Sequence, residues 1–268
     1  MNDPIMKYFK GIEIEKRKQI DSLMRAWKKA IPSKRIKIGD KFYLNKNYFS
    51  SDGFYPGYYS RKPKVLFIGR EPRWAQTDGY TDNIAQFMLD FIENDDHNQS
   101  SFTRRLLYIV EGIKYKGTLN FNEVTKKTAN EIIKKIKKTN DFGYAVINIS
   151  KYSNGAKDGS KANYKLIDSF LEHSNLEKNK FFQKELAILD PDIIITLNLF
   201  NGKIKQKYLD LCFGKMTQVD GSSKADEYDI KISNKYRKLI DIYHLSSYYP
   251  NKDYYEPIMK LLFPKKKK

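Results

Sequence analysis

Four short, mainly apolar runs stand out along the chain: Lys64–Gly69 (KVLFIG), Tyr144–Ile149 (YAVINI), Asp192–Leu197 (DIIITL) and Lys238–Tyr243 (KLIDIY). Runs of this length, rich in β-branched and aromatic residues, predict strands buried on both faces, as in a parallel sheet. Between them the apolar positions recur every three or four residues. Ile14, Ile20, Leu23, Met24 and Trp27 predict a helix over 13–30, closed by Pro32. Ile84, Phe87, Met88 and Phe91 predict another over 83–95. Further helices are expected over 102–113, 121–138, 164–174, 178–189, 201–212 and 254–262. Residues 45–63 read as a loop rich in Tyr, Gly and Pro. Residues 216–230 fit either a hairpin or an irregular excursion.

Strands separated by helices predict an α/β fold: three layers, α/β/α, with a central, mainly parallel four-stranded sheet. The expected organisation is a helical and loop extension over 1–60 packed on the core, an α/β domain over 61–264, and a basic tail over 265–268. Ligands of such sheets bind beyond the carboxyl ends of the strands. The segments to read for chemistry are therefore Gly69–Trp74, Asn148–Lys151, Asn198-Leu199 and His244–Ser247.

Composition narrows the function classes. Among 268 residues, 50 are Lys or Arg and 32 are Asp or Glu, a net charge of +18. An excess of that size points to a polyanionic partner, nucleic acid first. One cysteine and three histidines exclude a disulfide framework and leave too few ligands for a Cys-held zinc or iron–sulfur site. A 40% hydrophobic share with 14% aromatics excludes a disordered chain. No apolar run approaches the ~20 residues of a spanning helix, and the N-terminal segment has no apolar signal core. A soluble, cytoplasmic protein with no membrane partner is expected.

The strand ends carry a carboxylate (Glu71), an amide (Asn148) and a histidine (His244). Together these suit cleavage of a bond to a heterocycle. The amide reads a ring edge, the histidine stabilises charge on the departing ring, and the carboxylate positions water or faces a developing cation. With their flanking residues they resemble the uracil-DNA glycosylase superfamily over about residues 60–262. That superfamily ends its first strand in a Gly-x-x-Pro turn, Gly-Gln-Asp-Pro-Tyr in the uracil-excising branch; here it is Gly69-Arg70-Glu71-Pro72-Arg73. Its His-Pro-Ser-Pro motif after the last strand is matched by His244-Leu245-Ser246-Ser247. Asn148 takes the place of its base-reading Asn, and Asp190-Pro191-Asp192-Ile193-Ile194 resembles the entry to its third strand.

The resemblance implies a base-flipping DNA N-glycosylase that needs no metal or cofactor and acts as a monomer. It assigns water activation to Glu71, a hydrogen bond to the leaving base to His244, base reading to Asn148 and a phosphate clamp to Ser246. Ser247, Tyr248 and Tyr249, in the loop that wedges into the duplex, and Lys151 after the second strand are expected to contact DNA. Tyr80 or Phe87 is the expected stacking ring for the flipped base, although Phe87 also fits a core position on its helix.

Arg73 replaces a Tyr that excludes C5 substituents in the uracil-excising branch, so the expected substrate is a modified pyrimidine larger than uracil. Base-excision repair and defence against phage with modified-base DNA are the settings this suggests. The single cysteine excludes the iron–sulfur branches. Two departures touch the motifs: Glu71 is one methylene longer than the family Asp, and His244 lacks the following Pro. The alternatives are a non-catalytic nucleic-acid-binding protein on the same fold, and an enzyme of free nucleotides or nucleosides.

Overall fold

The four apolar runs form four neighbouring parallel strands in the computed structural model, which describes residues 5–32, 35–38, 41–44, 49–72, 81–82, 87–88, 91, 100–124, 126–154, 162–222 and 224–264. In chain order the strands are β1 (Arg35–Ile38), β2 (Lys41–Leu44), β3 (Ser50–Ser51), β4 (Gly53–Phe54), β5 (Val65–Gly69), β6 (Thr81–Asp82), β7 (Tyr144–Asn148), β8 (Ile193–Leu197), β9 (Thr217–Gly221), β10 (Ala225–Ile232) and β11 (Lys235–Ile242). Helices include Ile12–Ala30, Ser101–Lys114, Lys126–Thr139, Tyr164–His173, Phe181–Leu189, Gln206–Phe213 and Lys252–Leu262. No helix among the described residues is long and apolar enough to cross a membrane.

The protein is α/β, but its main sheet is not four-stranded. Seven strands run in the order β4-β7-β5-β8-β11-β10-β9. The β7, β5, β8 and β11 neighbours are parallel, while β4, β10 and β9 join antiparallel at the margins. The added strands carry little signal in the sequence. β4 has two residues, and all five residues of β9 are exposed, so neither shows an apolar run. Every residue of β5 and β8 is buried, which requires cover on both faces of the sheet.

Cross-strand partners share a face, so the register sorts the layers. One face carries Tyr144, Val146 and Asn148 beside Val65, Phe67 and Gly69, then Ile193, Ile195 and Leu197, then Ile240 and Ile242. Phe142 packs edge-on against Tyr144 and, with Leu107 and Ile136, ties the Ser101–Lys114 and Lys126–Thr139 helices to this side. The ring of Tyr255 lies so close to Gly112 that a Cβ there would stand 2.4 Å from it, which lets the Lys252–Leu262 helix seat against Ser101–Lys114. The opposite face receives the Ile12–Ala30, Tyr164–His173, Phe181–Leu189 and Gln206–Phe213 helices around Trp27, whose indole stacks on Phe181 and donates to Ser174 Oγ.

The Ile12–Ala30 helix and residues 49–60 are built into this body. β4 pairs with β7, and Asp52 enters a fully buried triad with Lys151 and Glu185 beneath Trp27. Burial works to strip the Lys151 proton, but the two carboxylates more than offset it and hold the ammonium above its usual range. Burial drives Glu185 well above the carboxylate range, with Asp52 adding to the effect and Lys151 opposing it. The lysine and the two carboxyl groups thus form one buried ionic network.

The winding sets where such a sheet opens its crevice. From β5 the chain crosses to β7 on one side; from β8 it crosses to β11 on the other. The strand order therefore reverses between β5 and β8, where open α/β sheets take their ligands at the carboxyl edge.

Candidate functional site

Asn148, Gly69, Leu197 and Ile242 form one register row across the four parallel strands. Asn148 leans over Gly69 so closely that a Cβ at residue 69 would lie 2.5 Å from its Oδ1. The glycine makes room for the amide. The Asn148 backbone is gripped on both sides by the buried triad. Its N–H donates to Asp52 Oδ2 at 2.6 Å, and its carbonyl accepts from Lys151 Nζ at 2.9 Å.

Beyond this row the chains after β5 and β7 stay zipped. Ile149 and Ser150 N–H groups donate to the Gly69 and Arg70 carbonyls, and Asn154 N–H donates to the Pro72 carbonyl. Glu71 sits on this rim and is 8% exposed. Its Oε1 accepts from Asn154 Nδ2 at 3.0 Å and from the Asn163 N–H at 3.1 Å. Asn163 caps the Tyr164–His173 helix, its side chain accepting from Leu166 N–H. The carboxylate thus lies at a helix N-terminus, where the peptide dipoles favour negative charge.

His244 follows β11 by two residues. Its Nδ1 accepts from the Ser246 N–H at 3.3 Å, which places the proton of the neutral ring on Nε2 and makes that nitrogen a donor. The ring packs 5.9 Å from Phe102 on the Ser101–Lys114 helix, on the same side of the sheet as Asn148. Asn148 and His244 therefore share a face. Glu71 stands over the edge between them, turned toward the helix of the opposite face.

A buried arginine organises the loop after His244. Arg105 Nη1 donates to the Leu245 and Ser247 carbonyls at 2.6 and 2.8 Å, Nη2 to the Tyr249 carbonyl at 2.8 Å, and Nε to Asn251 Oδ1 at 2.8 Å. Its guanidinium lies 4.2 Å from the Tyr254 ring, and Tyr254 OH donates to the Ser247 carbonyl. Burial lowers the Arg105 pKa from its ordinary value, against the Tyr254 contribution. The loop displays Ser246, exposed, and Tyr248, fully exposed; Tyr249 stacks on Tyr243 at 4.1 Å. Ser247 is half-buried and its N–H closes the turn on the His244 carbonyl.

Two expected contacts are corrected. Lys151 cannot touch DNA: it has no exposed surface, and its ammonium is spent on Asp52, Glu185 and the Asn148 carbonyl. Phe87 is not a stacking ring for this site. It packs on Tyr55 and Phe91, and Tyr55 N–H bonds Tyr144, at the amino end of β7. Four residues at ~3.3 Å each put that position roughly 13 Å from Asn148 along the strand. Arg73 and Tyr80 lie outside the described residues.

Asp241 and Arg105 are the residues that sequence reasoning missed. Asp241 accepts from Thr196 Oγ1 at 2.6 Å and from the Leu199 and Phe200 N–H groups, fixing the loop after β8 at the crevice. Burial raises its pKa to about 6, against those three donors. The available signal for Arg105 was its helical spacing with Ile109 and Gly112 on an apolar face. A separate cleft of about 250 Å³, lined by Arg61, Leu107, Lys114, Glu131, Lys135 and Phe142, opens between two helices near the amino end of β7, away from the carboxyl edge. Among the described residues no group of three or more His, Cys, Asp or Glu is arranged to hold a metal ion.

No family model, no curated protein and no solved structure matches the chain.

Proposed function

We propose that the protein is a DNA glycosylase that takes a flipped pyrimidine, larger than uracil, into the crevice at the carboxyl edge of the parallel strands. The observation that carries this reading is that Asn148 and His244 share one face of the sheet at its carboxyl edge, with Glu71 on the rim between their strands, beside the point where strand order reverses. β5 and β11 are two strand spacings apart, so Glu71 and His244 flank a gap of roughly 10 Å, wide enough for a nucleoside between the side chains.

Each group has a role that its surroundings support. The Asn148 amide, held against Gly69, reads the ring edge. The His244 Nε2–H donates to the base oxygen on which charge collects when the C1′–N bond breaks and its electron pair leaves with the base. Glu71, held on the rim by Asn154 and Asn163, acts on C1′ through its field as that carbon becomes cationic. Because two N–H groups already occupy Oε1, its role is electrostatic stabilisation and orientation of water more than proton abstraction. Water then adds to C1′ and releases its proton to solvent, while the departing base takes one up. The charge of +18 and the exposed Tyr248 support DNA as the substrate. The sequence ground for a C5-substituted base is Arg73, where the uracil-excising branch that the chain resembles has a Tyr.

The test is mass spectrometry of free bases released from duplex and single-stranded DNAs carrying uracil or C5-substituted pyrimidines, including phage genomes with modified cytosine. Release from the substituted templates is expected, with a loss of roughly 100-fold or more in His244→Ala and in Glu71→Ala, the usual effect of removing one preorganised charge-stabilising group. Tight DNA binding with no release from any template would leave the non-catalytic binding protein as the reading.

A further inference from the structure

We infer that Arg70, Tyr164, Asn201 and Lys203 form a phosphate-binding site at the mouth of the crevice. The cluster joins three separate segments: the turn after β5, the first residue of the Tyr164–His173 helix, and the loop after β8. Tyr164 Oη accepts from Arg70 Nη1 at 3.2 Å and from Asn201 Nδ2 at 3.0 Å. A hydroxyl has two acceptor positions and one proton. With both positions filled, the Tyr164 proton points away from Arg70 and Asn201 and is itself a donor. Asn201 Oδ1 accepts from the Lys203 N–H at 3.0 Å, which fixes the amide orientation and leaves its second N–H facing outward. Lys203 Nζ lies 5.4 Å from the centre of the Tyr164 ring.

The cluster thus presents guanidinium, ammonium, amide and phenol donors. Among the described residues neither Arg70 nor Lys203 is paired with a carboxylate. The nearby Lys205, by contrast, faces a carboxylate, Asp168. A half-buried guanidinium and an exposed ammonium that share donors but no acidic partner match an oxyanion with several acceptor oxygens. The helix start contributes nothing further, since the Asn163 and Leu166 N–H groups are already bonded to Glu71 and to the Asn163 side chain. Arg70 adjoins Glu71, so the bound phosphate flanks the nucleotide in the crevice. The site itself stands on its own geometry; only its use for a DNA phosphodiester rests on the glycosylase reading.

The experiment follows binding by the full chain with fluorescence anisotropy of a labelled oligonucleotide between 50 and 200 mM salt, as conditions that expose phosphate contacts. Inorganic phosphate and a nucleoside monophosphate serve as competitors. Lys203→Gln, on the exposed surface, and Arg70→Gln are compared with the unaltered protein, with thermal midpoints recorded for both. Each variant is expected to weaken oligonucleotide binding several-fold at low salt and to lower the salt slope by about one. Loss confined to the nucleoside monophosphate, with oligonucleotide binding unchanged, also supports the site and makes a free phosphomonoester its ligand. Unchanged binding of oligonucleotide, nucleotide and phosphate in both variants overturns the inference. Base release separates the two ideas. Release with no binding change in the variants removes the phosphate site alone; binding loss with no release by the unaltered protein removes the glycosylase alone.

Discussion

Replacing Arg105 tests whether one buried side chain shapes the loop that carries His244. Its guanidinium makes four hydrogen bonds into residues 245–251 and lies over Tyr254. A hydrogen bond to a charged group contributes roughly 1.5–3 kcal/mol when made. Three of the four acceptors here are loop carbonyls, two of them only partly buried, which water can reach once the loop shifts. Recovering about half of the gross value leaves a loss of about 3–6 kcal/mol for Arg105→Met, a large share of a typical ~5–15 kcal/mol stability. Arg105→Lys keeps the charge, but one ammonium cannot span acceptors at residues 245, 247, 249 and 251; a loss of about 2 kcal/mol is expected by the same values. Urea unfolding measures both. Hydrogen exchange at the Ser247 and Tyr249 amides, which close the turn, reports the loop directly. An Arg105→Met protein within about 0.5 kcal/mol of the parent, the range of an ordinary surface change, with those amides still protected, would refute the reasoning.

Three further outcomes follow from the geometry. Lys151→Met leaves Asp52 and Glu185 buried without their cation and should cost about 3–5 kcal/mol in chemical denaturation; adding Asp52→Asn and Glu185→Gln should restore part of that, and no restoration would argue against the buried carboxyl groups as the source of the loss. Gly69→Ala drives a Cβ to 2.5 Å from Asn148 Oδ1; a loss of about 1–3 kcal/mol and a fall in base release are expected, with calorimetry and the release assay as readouts. Asp241, raised to about 6 by burial against an ordinary 3.8, binds a proton more tightly folded than unfolded. Its stabilising contribution is therefore complete below about pH 4 and lost as pH rises through about 6, by about 3 kcal/mol in all. Asp241→Asn should remove that part of the pH dependence, and parallel stability curves for the two proteins from pH 4 to 7 would contradict it.

The parts of the fold legible in the sequence are those whose burial is two-sided or periodic. β5, β7, β8 and the second half of β11 are mainly apolar because both faces are covered, and each strand falls within three residues of its expected bounds. The expected 178–189 helix is two pieces, Leu176–Asn179 and Phe181–Leu189, because Lys180 adopts a left-handed conformation between them. The hairpin margin was ambiguous since β9 buries nothing and the alternation of β10 is one-sided. At the site, strand-end position was enough to single out Glu71, Asn148 and His244 as candidates. Lys151 misled because a lysine after a strand end is ordinarily solvated. The carboxylates that bury it come from 99 and 34 residues away, a distance no local pattern spans. The acceptors of Arg105 are likewise 140 or more residues distant.

The two margins of the main sheet bear on how this chain behaves in a crowd. An open sheet offers unpaired peptide groups at each edge, a template on which another molecule can grow a strand. Here one edge, β4, is two buried residues long and lies against the Ile12–Ala30 helix. The other, β9, is short, places Asp220 near its end, and meets β10 with a register shift at Glu227/Tyr228 that interrupts a straight template. Neither margin presents the long, flat, apolar border that polymerising sheets require. The fold thereby guards itself against self-templated aggregation at its borders, independently of the charge repulsion between molecules.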